Sequence, residues 1–328
     1  MMKFSTNMLF MLIMILSTIL VVNSSSGISM WMGLEINMMS FIPLLYKSKT
    51  SNTSESCMMY FLIQSFSSMI FLFSILINSM MLFKIQESIM LLTLISISIK
   101  MGMAPFHFWF PEIMNKMSWN NCIMLMTWQK IAPLYIMSQL SNMEIINFLI
   151  LASVITGAIG GLNQTSLRKI LSFSSINHLG WMVSCLKFNN NMWLLYLILY
   201  STIVIIFIHI LKKKSAIYLN QVFKNASVTE KITMSFSMMS LGGLPPFLGF
   251  MPKWIVIQSM MYFNNILMMT IMVMMSLITL FYYMRMISSM LMINSSINKW
   301  MINKTNINLL IMNFINIILP MALILNMF

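Results

Sequence analysis

Long apolar runs separated by short polar stretches make up nearly the whole chain. A transmembrane helix needs roughly 20 largely apolar residues. Windows of that kind fall at 4–22, 28–46, 57–78, 86–110, 121–138, 145–162, 169–186, 192–211, 232–262, 264–284 and 307–326. The runs are continuous, without the period-2 alternation of barrel strands, so they read as helices. A helix also satisfies its own backbone in lipid, which an open strand does not. The pattern therefore predicts an all-α polytopic membrane protein of about eleven transmembrane helices. The longest polar stretches, 212–231 and 285–306, leave no room for a soluble domain.

Composition agrees with this reading. Of 328 residues, 59% are hydrophobic and 8% charged, against about 25% charged in a soluble domain. The formal charge of +13 is explained by topology. If the spans alternate, one side receives Lys3, Lys47, Lys49, Lys116, Arg168, Lys169, Lys212, Lys213, Lys214, Lys224, Lys231, Arg285, Lys299 and Lys304, and the other only Lys84 and Lys187. That asymmetry follows the positive-inside rule, with the N-terminus on the positive side and the C-terminus opposite. No basic groove with interleaved aromatics stands outside the membrane, so nucleic acid is not an expected partner. The first span lacks a small-x-small cleavage pattern and reads as a retained helix. Cys57, Cys122 and Cys185 have no metal-ligand spacing and read as packing residues.

Three basic residues are not assigned to a loop: Lys100, Lys130 and Lys253. Glu35 also falls inside a span. A charge near the bilayer centre costs from about 2.5 to more than 10 kcal/mol. Such groups either snorkel, form static pairs or handle charge. Lysine suits proton handling, because burial destabilises its charged form and a nearby carboxylate restores it; arginine stays protonated throughout.

Two spans also break. Gly102-Met103-Ala104-Pro105-Phe106-His107-Phe108-Trp109-Phe110-Pro111 and Gly243-Leu244-Pro245-Pro246-Phe247-Leu248-Gly249-Phe250-Met251-Pro252 share Gly-x-x-Pro-Phe-x-x-aromatic-x-Pro, 141 residues apart. Proline removes a helical hydrogen bond, and the freed carbonyls need protein or water at membrane depth. The expected helix-break residues are Gly102, Pro105, Gly243, Pro245, Pro246 and Pro252. The two broken spans are five apart and so cross in opposite directions, as in an inverted-topology repeat. The expected division is about 1–140 and 141–290 as inverted five-helix repeats, with 291–328 as a loop and extra helix. The halves are not chemically identical, since Glu112 occupies the position equivalent to Lys253. His107 and His178 are open to two readings, hydrogen-bonded structural histidines or members of a proton path. No phosphate loop, dinucleotide fingerprint, nucleophile triad or metal cluster is present.

At these residues the chain resembles the subunit 2 family of mitochondrial respiratory complex I, the proton-translocating NADH:ubiquinone oxidoreductase. The matching segments are Gly33-Leu34-Glu35-Ile36-Asn37, Lys100 to Trp109, Trp128-Gln129-Lys130-Ile131-Ala132-Pro133, Ser174 to Trp181, and Gly242 to Trp254. The resemblance implies an antiporter-like subunit whose proton relay comprises Glu35, Lys100, Lys130 and Lys253. It implies no cofactor bound by this chain, with NADH, FMN, iron–sulfur clusters and ubiquinone in other subunits. Its implied partners are other membrane-arm subunits and inner-membrane phospholipids including cardiolipin. The implied location is the mitochondrial inner membrane, with the N-terminus in the matrix and the C-terminus in the intermembrane space. Mitochondrial codon usage in such a family also accounts for the 44 methionines. The alternatives are a free-standing cation/proton antiporter and a membrane scaffold with static lysine pairs.

Overall fold

The computed structural model describes residues 2–46, 51–80, 86–141, 143–188, 192–222 and 228–293, together with Asn313 and Asn316. The described residues are overwhelmingly helical and divide into two compact units, Met1–Leu149 and Ile150–Phe328.

The first unit contains α1 (Met2–Asn23), α2 (Gly27–Leu45), α3 (Ser51–Met80), α4 (Gln86–Met101), α5 (Trp109–Lys116), α6 (Trp119–Met126) and α7 (Ile131–Gln139). Helix α2 packs on α1 and α3, α3 packs on α4 and α5, and α7 packs on α1 and α4. Helix α8 (Ile145–Gly161) runs from the first unit into the second. The second unit continues with α9 (Leu167–Phe188), α10 (Met192–Lys213), the short α11 (Leu219–Val222), α12 (Val228–Gly242), α13 (Phe250–Tyr262) and α14 (Ile266–Ile293). There α12 packs on α10 and α14, while α13 packs on α9, α10 and α14.

Among the described residues, five helices are long and apolar enough to cross a membrane: those at Thr6–Asn23, Gly27–Leu45, Ser51–Met80, Met192–Lys213 and Ile266–Ser288. The difference from the expected eleven has local causes. The windows 86–110 and 232–262 are each two helices, α4 with α5 and α12 with α13, separated at the Gly-Pro segments. Window 121–138 is also interrupted, by a 3₁₀ turn at Trp128–Lys130 between α6 and α7. Pro133, in the first turn of α7, has no N–H to return to the Gln129 carbonyl, and its ring crowds that carbonyl, so the α-helix cannot run through. Window 307–326 lies outside the described residues except for Asn313 and Asn316.

Helix α9 is long enough but too polar to qualify by hydropathy, and it is buried along nearly its whole length. Its serines satisfy themselves: Ser172, Ser174, Ser175 and Ser184 each donate to the carbonyl three residues earlier, at 2.7–2.8 Å. A polar helix buried in protein needs no lipid-facing stripe, so hydropathy understates its role as the central helix of its unit.

Candidate proton-relay site

Both interrupted spans end their first helix in the same way. At the end of α4, Gly102 adopts φ +69°, Met103 N–H donates to Ser98 O at 3.0 Å, and Gly102 N–H donates to Ile99 O at 3.1 Å. At the end of α12, Gly243 adopts φ +80°, Leu244 N–H donates to Met239 O at 3.2 Å, and Gly243 N–H donates to Ser240 O at 3.0 Å. This 6→1 and 5→2 pair is the Schellman termination, which favours glycine at the left-handed position. Pro105, Pro245 and Pro246 lie in the turns that follow. Pro252 differs from its expected role. It occupies the first turn of α13 (Phe250–Tyr262), where the missing N–H costs no intrahelical bond, so it starts a helix rather than breaking one.

Carbonyls at the two breaks also accept from different side chains. In the first, Trp109 Nε1 donates to Ile99 O at 3.1 Å and Gln64 Nε2 donates to Lys100 O at 3.2 Å. In the second, Lys253 Nζ donates to Gly242 O at 2.8 Å, placing an ammonium at the negative end of α12. Its Nζ also lies 5.8 Å from the centroid of the Trp181 ring.

All three singled-out lysines are buried, Lys100 at 8%, Lys130 at 2% and Lys253 at 4% exposure. Lys100 and Lys130 line one cavity of about 30 Å³ in the first unit. Lys100 reaches it because α4 stops one residue later. Lys130 reaches it because the 3₁₀ turn swings Gln129 and Lys130 inward, and Lys130 Nζ lies 5.9 Å from the centroid of the Phe110 ring. Asn37, Gln64 and Gln129 supply further polar lining, and Gln129 Nε2 donates to Asn37 Oδ1 at 2.9 Å.

Glu35 is half-buried and does not line the cavity. Glu35 and Lys100 form no direct ion pair among the described residues. Glu112 is exposed. His107 is half-buried, with Nδ1 3.3 Å from Pro105 O, and does not line the cavity. His178 is buried in the second unit, with Nδ1 2.9 Å from Tyr196 Oη.

Several features escaped sequence reasoning. Asn37 and Gln129 neighbour Glu35 and Lys130 in the chain, and Gln64 interrupts an apolar run; each was visible as a polar residue inside a span. Glu230, placed in a loop by hydropathy, is buried and accepts from Lys213 and Lys214 at 2.9 Å each. It occupies the first turn of α12, where a carboxylate is favoured by the helix dipole. The three cysteines are buried and free. No group of three or more metal-ligating side chains occurs among the described residues.

The close packing of Lys253 on Gly243 makes a prediction. A Cβ at Gly243 would lie 2.9 Å from both Lys253 Cδ and Nζ, on a backbone at φ +80°. Gly243→Ala is expected to destabilise by about 1–2 kcal/mol from the left-handed backbone alone and to dislodge the ammonium from Gly242 O. The share of protein that stays folded after graded heating reads the loss; wild-type heat resistance would contradict this geometry.

Residues 24–279 match the family model described as NADH:quinone oxidoreductase/Mrp antiporter, TM. Curated relatives called NADH-ubiquinone oxidoreductase chain 2 include that of Anopheles gambiae, 42% identical over 96% of each chain, and that of Aedes aegypti, 44% identical over 96% of each chain. Among solved structures, a chain of respiratory complex I from Thermus thermophilus superposes with a TM-score of 0.80 at 20% identity, over 87% of this chain and 70% of that one. A chain of the Mrp complex from Dietzia superposes at 0.75 and 16% identity, over 85% and 59% respectively. The likeness to solved structures carries the fold, while the extent and identity of the sequence matches carry the assignment: the chain belongs to the NADH:quinone oxidoreductase/Mrp antiporter family, in its NADH-ubiquinone oxidoreductase chain 2 branch.

Proposed function

We propose that this chain is the proton-translocating subunit 2 of NADH:ubiquinone oxidoreductase, relaying protons through Glu35, Lys100, Lys130 and Lys253. The observation that carries this reading is the pair of buried lysines, Lys100 and Lys130, on one small polar-lined cavity beside a broken helix. A cavity of about 30 Å³ accommodates a water, which needs roughly 10–15 Å³. Two ammonium groups sharing it repel, so protonation of one disfavours protonation of the other. Glu35 acts from outside the cavity and biases Lys100 through its field. When Lys100 is freed from that field, its charge drives a proton from Lys130 onward to Lys253, and the relay reloads when the coupling returns. Moving one charge against 100 mV costs about 2.3 kcal/mol, which a swing of roughly two pKa units supplies. The redox chemistry belongs to other subunits with their NADH, FMN, iron–sulfur clusters and ubiquinone.

The finer architecture belongs to the same proposal. It comprises eleven spans, two inverted five-helix repeats and an N-terminus in the mitochondrial matrix. The matching Gly102 and Gly243 terminations and the loop-charge asymmetry support it. Other membrane-arm subunits and phospholipids, cardiolipin among them, are the expected neighbours.

Glu35→Gln tests the coupling. It keeps the side-chain shape and removes the charge that acts on Lys100. Protons moved per electron are expected to fall in the assembled complex in proteoliposomes, with assembly preserved; a wild-type ratio would sink the switch. Mild-detergent copurification separates this reading from a free-standing antiporter, which would travel without quinone reductase activity.

A further inference from the structure

In the first unit, the turn that carries Lys130 is tied to the helix that carries Glu35. Gln129 Nε2 donates to Asn37 Oδ1 of α2 at 2.9 Å and to Met14 Sδ of α1 at 3.4 Å. Amide oxygen and thioether sulfur are acceptors, so both hydrogens of the Gln129 amide are engaged. Asn37 and Met14 are buried, at 3% and 0% exposure. Glu35 and Asn37 are two residues apart, which on a helix turns them to nearly opposite sides. Glu35 is half-buried beside exposed Ile36, whereas Asn37 and Met38 are buried. Helix α2 thus carries its carboxylate on one side and, on the other, the amide that holds the Lys130 turn.

Helix α2 is also anchored and hinged. Asn121 Nδ2 of α6 donates to Leu44 O at 3.2 Å, which fixes the last turn of α2. Just before it, Pro43 stands inside the helix. Pro43 has no N–H to return to the Met39 carbonyl, so the helix yields most readily there. Residues 27–39, with both Glu35 and Asn37, lie on the far side of this hinge from the anchor. They pack against α1, where a Cβ on Gly33 would stand 2.5 Å from Val21 Cγ2. Because Met14 belongs to α1, the Gln129 amide grips both members of that tight helix pair.

The other end of the link is a weak element. The turn Trp128–Lys130 is three residues of 3₁₀ helix, in which Lys130 N–H donates to Thr127 O at 3.3 Å. Bonds of this kind are poorer than those of an α-helix, so side-chain contacts set how the turn sits. Thr127 is itself fastened, its Oγ1 donating to Ile123 O at 2.7 Å. Lys130 follows Gln129 directly, and a shift of the Gln129 amide carries the Lys130 backbone with it.

We propose that the Asn37–Gln129 hydrogen bond is a strut, and that Asn37 and Gln129 are positioning residues for Lys130: movement of α2 about Pro43, driven by the charge state of Glu35, shifts Lys130 relative to Lys100 in their shared cavity. This rests on the relay reading above and adds a geometric coupling to the one that acts through the Glu35 field. Neither amide gains or loses a proton.

The test uses the assembled complex in proteoliposomes. Asn37→Gln and Gln129→Asn each keep the cavity polar but change the strut by one methylene; combined, they exchange its ends and restore its length. Each single variant is expected to lower turnover per assembled complex about tenfold, within the scale of a misplaced reacting group, with fewer protons per electron. The combined variant is expected to recover most of both losses, a non-additivity that marks residues acting through one contact. A merely structural role would change the amount assembled and leave turnover per complex unmoved. Wild-type pumping in both single variants, beside a defective Lys130→Ala, removes the strut and leaves the lysine relay standing. Losses that the combined variant does not recover also overturn the strut. Wild-type pumping in Lys130→Ala sinks the relay reading itself. Should the single variants not assemble, Asn37→Leu removes the acceptor at nearly constant volume and is expected to show the same tenfold loss; wild-type pumping there overturns the strut.

Discussion

Lys130→Ala is expected to lower turnover of the assembled complex by about tenfold or more, the scale of a lost proton-transfer group, and to lower proton output per electron. Lys130 is 2% exposed on the turn that interrupts its span, and it shares the cavity with Lys100. Besides Lys130, the titratable side chains lining that cavity are Lys100 and Tyr60, the rest being amides, aromatics and aliphatics. Lys130→Arg separates charge from proton transfer. Arginine keeps the positive charge but does not release its proton at accessible pH. It is expected to fail as alanine does. Pumping restored by arginine would assign Lys130 a fixed electrostatic role, and unchanged turnover and proton output in both variants would remove it from the relay.

Gly249→Ala is expected to prevent accumulation of the assembled complex. A Cβ there would stand 1.7 Å from Ser240 O and 2.7 Å from Ser240 C, both backbone atoms of α12. The chain returning from the second break thus lies directly on the helix it has just left. No side-chain rotation relieves such an overlap; α12 and the start of α13 must separate, which also moves Lys253 off Gly242 O. The expected cost exceeds about 4 kcal/mol, the range reserved for disrupted cores and backbones. Gly242→Ala is the control, because its nearest neighbour is Leu280 Cγ at 3.5 Å, an ordinary contact. Native-gel quantities of the complex read both variants: near wild-type for Gly242→Ala, near zero for Gly249→Ala. Equal amounts of the two would contradict the close approach.

These two sites were legible in the sequence to different degrees. Lys130 stood out because charge in an apolar run is costly and therefore rare. Gly249 falls at a variable position of the repeated motif, opposite Phe108, with nothing in the local pattern to mark its contact with Ser240, nine residues earlier. The breaks themselves were readable, since Gly102, Pro105, Gly243, Pro245 and Pro246 carry their backbone preferences wherever they occur. Pro252 was misread because proline interrupts a helix in its interior and opens one in its first turn, and position within the helix is not a local property. Window 121–138 reads as continuous, because averaging over a window hides the three-residue 3₁₀ turn at Trp128–Lys130.

The amino-acid order alone carries the helical, membrane-embedded character of this chain, the places where its helices break, and which lysines fall inside apolar runs. All of these follow from properties of single residues and their near neighbours: transfer free energy, proline and glycine geometry, charge. The folded arrangement decides which of those residues meet. It brings Lys100 and Lys130 to one cavity with Asn37, Gln64 and Gln129, leaves Glu35 out of its lining, fastens Lys253 to Gly242 O, and sets Tyr196 and Tyr200 of α10 against His178. Burial and hydrogen bonding between residues 11 to more than 90 positions apart depend on how helices pack, and hydropathy carries no information on which faces will touch.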